Sequence, residues 1–181
     1  MHNDIAEELS RLHNLEGADF SKQVARIAQR KEFIPVENEK NIFAVSGFQD
    51  KDYVNLLSAA RKAVTFGYTV FILPNPKDIR TADFIFERKG IYRVYDLKTI
   101  VGKGSVDSRL AESIGQTNRV LLNITTDYNA GKLARSIIRY FENYAGALEV
   151  IVFKGHKKIV VTRQTVLDRN FVISFSKKYY K

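Results

Sequence analysis

Asp96 and Lys98 stand two residues apart in Ile91–Thr99, a run rich in β-branched and aromatic residues that predicts a strand. Side chains alternate faces along a strand, so this carboxylate and ammonium point the same way. Asp83 lies in a second predicted strand, Ala82–Phe86, joined to the first by the polar link Glu87-Arg88-Lys89-Gly90, and meets them from across the hairpin. Two carboxylates about 4 Å apart repel by roughly 4 kcal/mol at an effective dielectric of about 20. A divalent cation relieves that repulsion, and hard oxygen ligands from few carboxylates suit magnesium or manganese, as one ion or two. Such a cation offsets the charge on a pentavalent phosphate and lowers the pKa of a bound water, while Lys98 orients the water or stabilises the developing charge. Gln116, one predicted helix later, is placed to hold the nucleophile or a backbone phosphate. The chemistry these residues fit is phosphodiester hydrolysis. The same residues also read as solvated strand-end charges, with Lys98 a surface ion-pair partner worth well under about 1 kcal/mol. Gln116 and Arg109 likewise read as ordinary exposed helix residues.

The elements that must position these groups follow from hydrophobic period. Apolar residues at Val54, Leu57, Ala60 and Val64 predict a helix over Asp52–Phe66, ended by Gly67, and Tyr68–Leu73 predicts a strand that stops at Pro74-Asn75-Pro76. After the hairpin, Val101–Gly104 is a flexible loop and Ser105 an N-cap for a helix predicted to end near Asn118. On that helix Ser105, Arg109, Glu112 and Gln116 form a polar ridge within roughly 60° at about 100° per residue, beside an apolar stripe of Val106, Leu110 and Ile114. Then come a strand over Arg119–Ile124, a helix marked by Leu133, Ile137, Tyr140 and Phe141, and a strand over Leu148–Phe153, which together predict a right-handed parallel crossover. Lys154-Gly155-His156-Lys157 turns the chain into Lys158–Thr162, and Phe171–Phe175 reads as a final strand. Upstream, residues 1–32 predict two short helices broken near Gly17, and residues 33–49 a loop or short hairpin. The expected organisation is an N-terminal helical extension over 1–50 and an α/β domain over 51–181, built on a central mixed sheet flanked by helices.

Composition bounds the function. With 181 residues, 45% of them hydrophobic and 27% charged, the chain is an ordinary globular length and needs no disulfide or metal to fold. It has no cysteine, which excludes thiol catalysis, zinc fingers and iron–sulfur clusters, and three scattered histidines make no His-rich metal site. No window approaches the about 18 uninterrupted apolar residues of a membrane span. Residues 1–11 carry Asp4, Glu7 and Glu8 without an apolar core, which argues against a secretory signal peptide. Lysine and arginine outnumber aspartate and glutamate 29 to 20, and the net charge of +9 favours a polyanionic partner. Lys103, Arg109, Lys154, Lys157, Lys158 and Arg163 are the candidate phosphate contacts, and Tyr179 and Tyr180 in the basic C-terminal stretch offer stacking faces. The same basic stretch also reads as a solubilising surface, and His156 as an exposed turn residue.

The order helix, Gly67-Tyr68, strand, Asp83, Asp96-Leu97-Lys98, helix with Gln116, strand at Val120 resembles the PD-(D/E)xK nuclease core over about Asp52–Thr162. It is similar in particular to the C-terminal tRNase toxin domains of contact-dependent growth inhibition systems and related mobile-element nucleases, with Asn118 and Asn123 around the last strand. The resemblance implies a restriction-endonuclease-like core, Asp83 and Asp96 as metal ligands, Lys98 as the catalytic lysine and Gln116 as an auxiliary. It implies a magnesium-dependent endonuclease of RNA, with tRNA the expected substrate, acting in the cytoplasm after delivery within a larger secreted chain. An acidic immunity protein is the implied partner, suited to the basic surface. Two departures stand out: Ala82 precedes Asp83 in place of the motif's proline, as in many members, and the extra acid often found on the first core helix has only Asp50, Asp52, Glu37 and Glu39 as candidates.

Other readings remain open on the same residues. The stretch also resembles metal-independent toxin RNases related to barnase, colicin and RelE-type enzymes, through Lys98-Thr99 with His156 or Arg163 as partners and Asp96 structural. A DNase of a mobile element, a non-catalytic nucleic-acid-binding module and a protein-recruiting domain complete the set.

Overall fold

A computed structural model of the chain describes residues 2–12, 17–46, 51–76 and 78–181; His13, Gly47 and Asp50 lie outside them. The fold is α/β, as the sequence predicts, and its strands pair in mixed fashion with helices flanking them. It divides into two compact units, Met1–Asp96 and Leu97–Lys181.

The first unit holds α1 (His2–Arg11), α2 (Gly17–Ala28), β1 (Phe33–Pro35), β2 (Ile42–Val45), α3 (Tyr53–Thr65), β3 (Thr69–Ile72) and β4 (Phe84–Arg88), with the first six residues of β5 (Ile91–Ile100). The strands lie in chain order: β1 antiparallel to β2, β2 parallel to β3, then β3, β4 and β5 antiparallel in turn. The N-terminal helices and β1 and β2 fall within this unit. Ile5 and Leu9 of α1 and Val24 and Ile27 of α2 are buried in one cluster with Phe33, Leu73, Ile85 and Val94, because the apolar stripe of each helix matches one face of the alternating strands. The helix α3 buries Leu56, Ala59, Ala60 and Ala63. Gly67, at φ +88°, ends it in the left-handed conformation, donating to Val64 O at 3.0 Å while Tyr68 N–H reaches Ala63 O at 3.2 Å. The β4–β5 link is tighter than the four polar residues suggested: Arg88 pairs directly with Ile91, and Lys89 (φ 52°) and Gly90 (φ 78°) alone make the turn.

The second unit holds the end of β5, α4 (Val106–Glu112), β6 (Arg119–Ile124), α5 (Ala130–Asn143), β7 (Glu149–Lys154), β8 (Lys157–Thr162), α6 (Arg163–Val166) and α7 (Phe171–Tyr180). Through α5, β6 connects to β7 in parallel, and β7 turns into antiparallel β8. The predicted strand over Phe171–Phe175 is instead the start of α7. Its alternating aromatics deceive: Phe171, Phe175 and Tyr179 are buried at four-residue spacing, whereas Ile173 is exposed. The helix α4 is also shorter than predicted. Ser105 caps it by accepting from Asp107 N–H at 3.2 Å, but the buried Ser113 hydroxyl donates to Leu110 O at 2.6 Å and Gly115 takes φ +89°, so the chain leaves helical geometry before Gln116.

Asp107 ties α4 to α5 through two bonds from Arg139, Nε to Oδ1 and Nη2 to Oδ2, both 2.9 Å. Arg139 holds the Asp107 carboxyl below its ordinary value of 3.8. A lowered carboxyl pKa stabilises the fold fully above the unfolded value, and that contribution is lost as pH falls through the folded one. Both side chains are about half exposed, so solvent screens the pair and its contribution is small. Asp107→Asn is expected to lower the urea-unfolding free energy slightly at pH 7, with the difference from wild type closing as the pH falls through the lowered folded-state value.

Candidate functional site

Asp83 is pinned through its main chain on both sides. Its carbonyl accepts from Leu73 N–H at 2.9 Å and its N–H donates to Tyr95 O at 3.0 Å, while the buried Thr81 hydroxyl donates to Pro74 O at 3.2 Å and fixes the loop that leads in. The β4–β5 ladder pairs Ile85 with Val94 and Phe84 with Tyr95, so Asp83 and Asp96 lie one step beyond its end. Alternation places both on the Ile85 and Val94 face. Asp83 is half-buried and Asp96 is 2% exposed. A carboxylate so far removed from water is no solvated strand-end charge, and it must be compensated by polar or cationic groups.

Lys98 follows on the same strand and is also buried, within the alternating set Val94, Asp96, Lys98 and Ile100. In the second unit its Nζ lies 3.9 Å from Glu112 Oε2, and Arg109 Nη1 donates to the same oxygen at 3.1 Å. Gln116, although past the helix end, donates its Nε2 to the Glu112 carbonyl at 3.3 Å. Glu112 is thus the centre of the polar ridge, linked to Lys98, Arg109 and Gln116. The sequence placed it on that ridge without assigning it a role; its spacing of three and four residues from Arg109 and Gln116 was the available signal.

The candidates for an extra acid are placed as follows among the described residues. Glu39 accepts from Arg61 Nε at 2.7 Å, Glu37 and Asp52 are exposed, and Asp50 lies outside the described residues. Among the described residues no group of three or more His, Cys, Asp or Glu is arranged to hold a metal ion. Asp83 and Asp96 still fit a magnesium-like ion, which binds through one or two carboxylates and completes its shell with water and phosphate oxygens.

The candidate phosphate contacts divide. Lys103 is exposed in the loop before α4. Lys154 donates to Thr126 O at 2.6 Å and lies 5.6 Å from the Tyr179 ring centroid, Lys157 donates to Tyr179 O at 2.9 Å, and Arg163 reaches four main-chain carbonyls. These three cations fasten the second unit internally. Lys158 is half-buried and His156 exposed in the turn. Tyr179 is not a stacking face: it is 1% exposed in the core, and burial pushes its phenol up to about 12. Tyr180 is exposed, with its hydroxyl accepting from Ala130 N–H at 3.1 Å. Among the described residues no helix is long and apolar enough to cross a membrane.

No protein-family model, curated protein or solved structure matches this chain.

Proposed function

We propose that this chain is a metal-dependent endonuclease that hydrolyses phosphodiester bonds in RNA, with tRNA the expected substrate, as a toxin-like effector. The observation that carries the reading is the element order α3-β3-β4-β5-α4-β6, with Asp83 and Asp96 at the paired ends of β4 and β5 and Lys98 two residues on. That order and that spacing resemble those of the PD-(D/E)xK core, which supports the reading. Asp83 and Asp96 would hold the cation, which when bound would supply Lewis acidity at the scissile phosphate. Lys98, buried on the strand, would orient the attacking water or balance the charge that develops on the phosphate oxygens. Glu112, whose carboxylate lies 3.9 Å from the Lys98 ammonium and whose main-chain carbonyl accepts from Gln116, would be a positioning residue. The net charge of +9 supports a polyanionic substrate and an acidic immunity partner. RNA over DNA, and action in the cytoplasm, rest on the resemblance to tRNase toxin domains.

The test incubates purified protein with total tRNA and with plasmid DNA, each with magnesium or with EDTA. Discrete tRNA fragments that disappear in EDTA are expected. Cleavage that persists in EDTA would sink the metal-dependent reading in favour of the barnase-like one, plasmid cutting would make the enzyme a DNase, and well-folded protein that cuts neither would leave a binding module.

A further inference from the structure

At the turn end of the β4–β5 hairpin, in the first unit, lies an open groove of about 380 Å³ lined by Tyr68, Phe86, Tyr95, Arg88, Lys89 and Arg93. That volume falls within the range of small-ligand sites. Its floor is aromatic: Phe86 stands 5.1 Å from Tyr68 and 4.9 Å from Tyr95, centroid to centroid. Phe86 and Tyr95 are buried at 1% exposure each and serve as backing, whereas Tyr68 is partly exposed at the surface. The Arg88 guanidinium carbon sits 5.7 Å from the Tyr68 ring centroid. Arg88 and Lys89 are exposed and Arg93 half-buried, and no carboxylate lines the groove among the described residues. Glu87, the nearest acid in sequence, alternates to the other face and accepts from Gly90 N–H at 2.8 Å. Asp83 and Asp96 likewise alternate with Phe84 and Tyr95, so they occupy the opposite face, about 17 Å along β5 from the turn at about 3.4 Å per residue.

We infer that this groove holds a segment of single-stranded nucleic acid, one base against Tyr68 and its flanking phosphates on Arg88, Lys89 and Arg93, as a strand-holding site remote from the carboxylate pair. Arg88, Lys89 and Arg93 line the groove and none of its described lining residues is acidic, a lining that answers phosphate charge. A ring face beneath a guanidinium answers a planar base, which an acidic peptide lacks. The choice of RNA over DNA rests on the nuclease reading; the groove itself does not.

The experiment measures anisotropy of a fluorescein-labelled 12-residue oligouridine in EDTA, across a salt series. It compares wild type with Tyr68→Leu, with the triple variant Arg88→Gln, Lys89→Gln, Arg93→Gln, and with the control Lys132→Gln, Lys178→Gln, which removes two exposed cations elsewhere. The triple variant is expected to lose at least about tenfold in affinity and to show a salt slope shallower by about 2, from about 0.7 per phosphate contact on a single strand. Tyr68→Leu is expected to lose about 5- to 100-fold with its slope unchanged, and the control to change less than about threefold. Poly-L-glutamate is expected to compete no better against wild type than against Tyr68→Leu. Groove variants that bind as wild type does, or poly-L-glutamate binding that falls with Tyr68→Leu as RNA binding does, overturn the assignment, the latter in favour of an acidic protein partner. Thermal melts verify folding, and if Tyr68→Leu or the triple variant unfolds, the double variant Arg88→Gln, Lys89→Gln at the two exposed positions decides alone. Groove-dependent binding by a protein that never cleaves keeps this inference and fails the nuclease reading; cleavage with groove-independent binding does the reverse.

Discussion

Asp96→Asn is expected to lower the single-turnover rate of RNA cleavage in magnesium by at least about 10²–10³-fold while leaving a folded protein that binds RNA as tightly as wild type or more so. Asp96 would hold the cation whose charge stabilises the transition state, a stabilisation worth about that much when lost, and asparagine keeps the shape while losing the charge. Removing a negative charge near the phosphate also removes a repulsion in the ground state, so affinity moves opposite to rate. Asp96 is the informative position because the competing readings disagree on it. Lys98→Gln should abolish cleavage in both the metal-dependent and the metal-independent reading, since both place the ammonium at the phosphate. Only the metal-dependent reading needs the Asp96 charge. A variant whose rate stays within about threefold of wild type, and whose cleavage survives EDTA, would make Asp96 a structural carboxylate and return the chemistry to Lys98 and Thr99.

The candidate site was legible where its signal was local. The shared face of Asp83 and Asp96 was legible because strand period and a hairpin link are properties of a few neighbouring residues, and the ladder pairs bring the two aspartates to one end. Burial was not legible, because the alternation that puts Asp96 and Lys98 on one face does not say whether that face meets water. Where two periods fit, the sequence was ambiguous. Phe171, Ile173 and Phe175 satisfy a strand, but Phe171, Phe175 and Tyr179 satisfy a helix, and the second set has a core to fill. Cations were the least legible class, since charge counts do not distinguish a lysine that faces solvent from one that bonds a carbonyl. Lys154, Lys157 and Arg163 share the charge of Arg88, Lys89 and Arg93 and differ in what surrounds them. The basic C-terminal stretch stands out by density, whereas the groove cations are spread over a predicted hairpin link and strand in which no local cluster marks them.

Arg163→Ala is expected to cost about 2–4 kcal/mol of stability, lowering Tm by roughly 5–15 °C for a chain of this length, without weakening RNA binding by the protein that remains folded. The guanidinium donates to Phe141 O at 2.8 Å, Tyr144 O at 2.9 Å, Ala145 O at 3.1 Å and Ala147 O at 3.2 Å, and packs over the Phe141 ring with 5.4 Å to the centroid. These carbonyls belong to the C-terminal end of α5 and the turn after it, where the helix has run out of its own N–H donors and carries the negative end of its dipole. A cation with a planar fork of donors satisfies both needs at once. Each charge-assisted bond is worth about 1.5–3 kcal/mol in isolation, but four to one group are far from additive, and the more exposed carbonyls regain water when the arginine is removed. Arg163→Lys should recover less than half of the loss, because one ammonium cannot span four acceptors arranged around a planar group. Thermal and urea unfolding of the three proteins, beside RNA affinity at 20 °C, separates the roles. A Tm within about 1 °C of wild type together with lost cleavage would instead make Arg163 the partner of Lys98 that a metal-independent RNase requires.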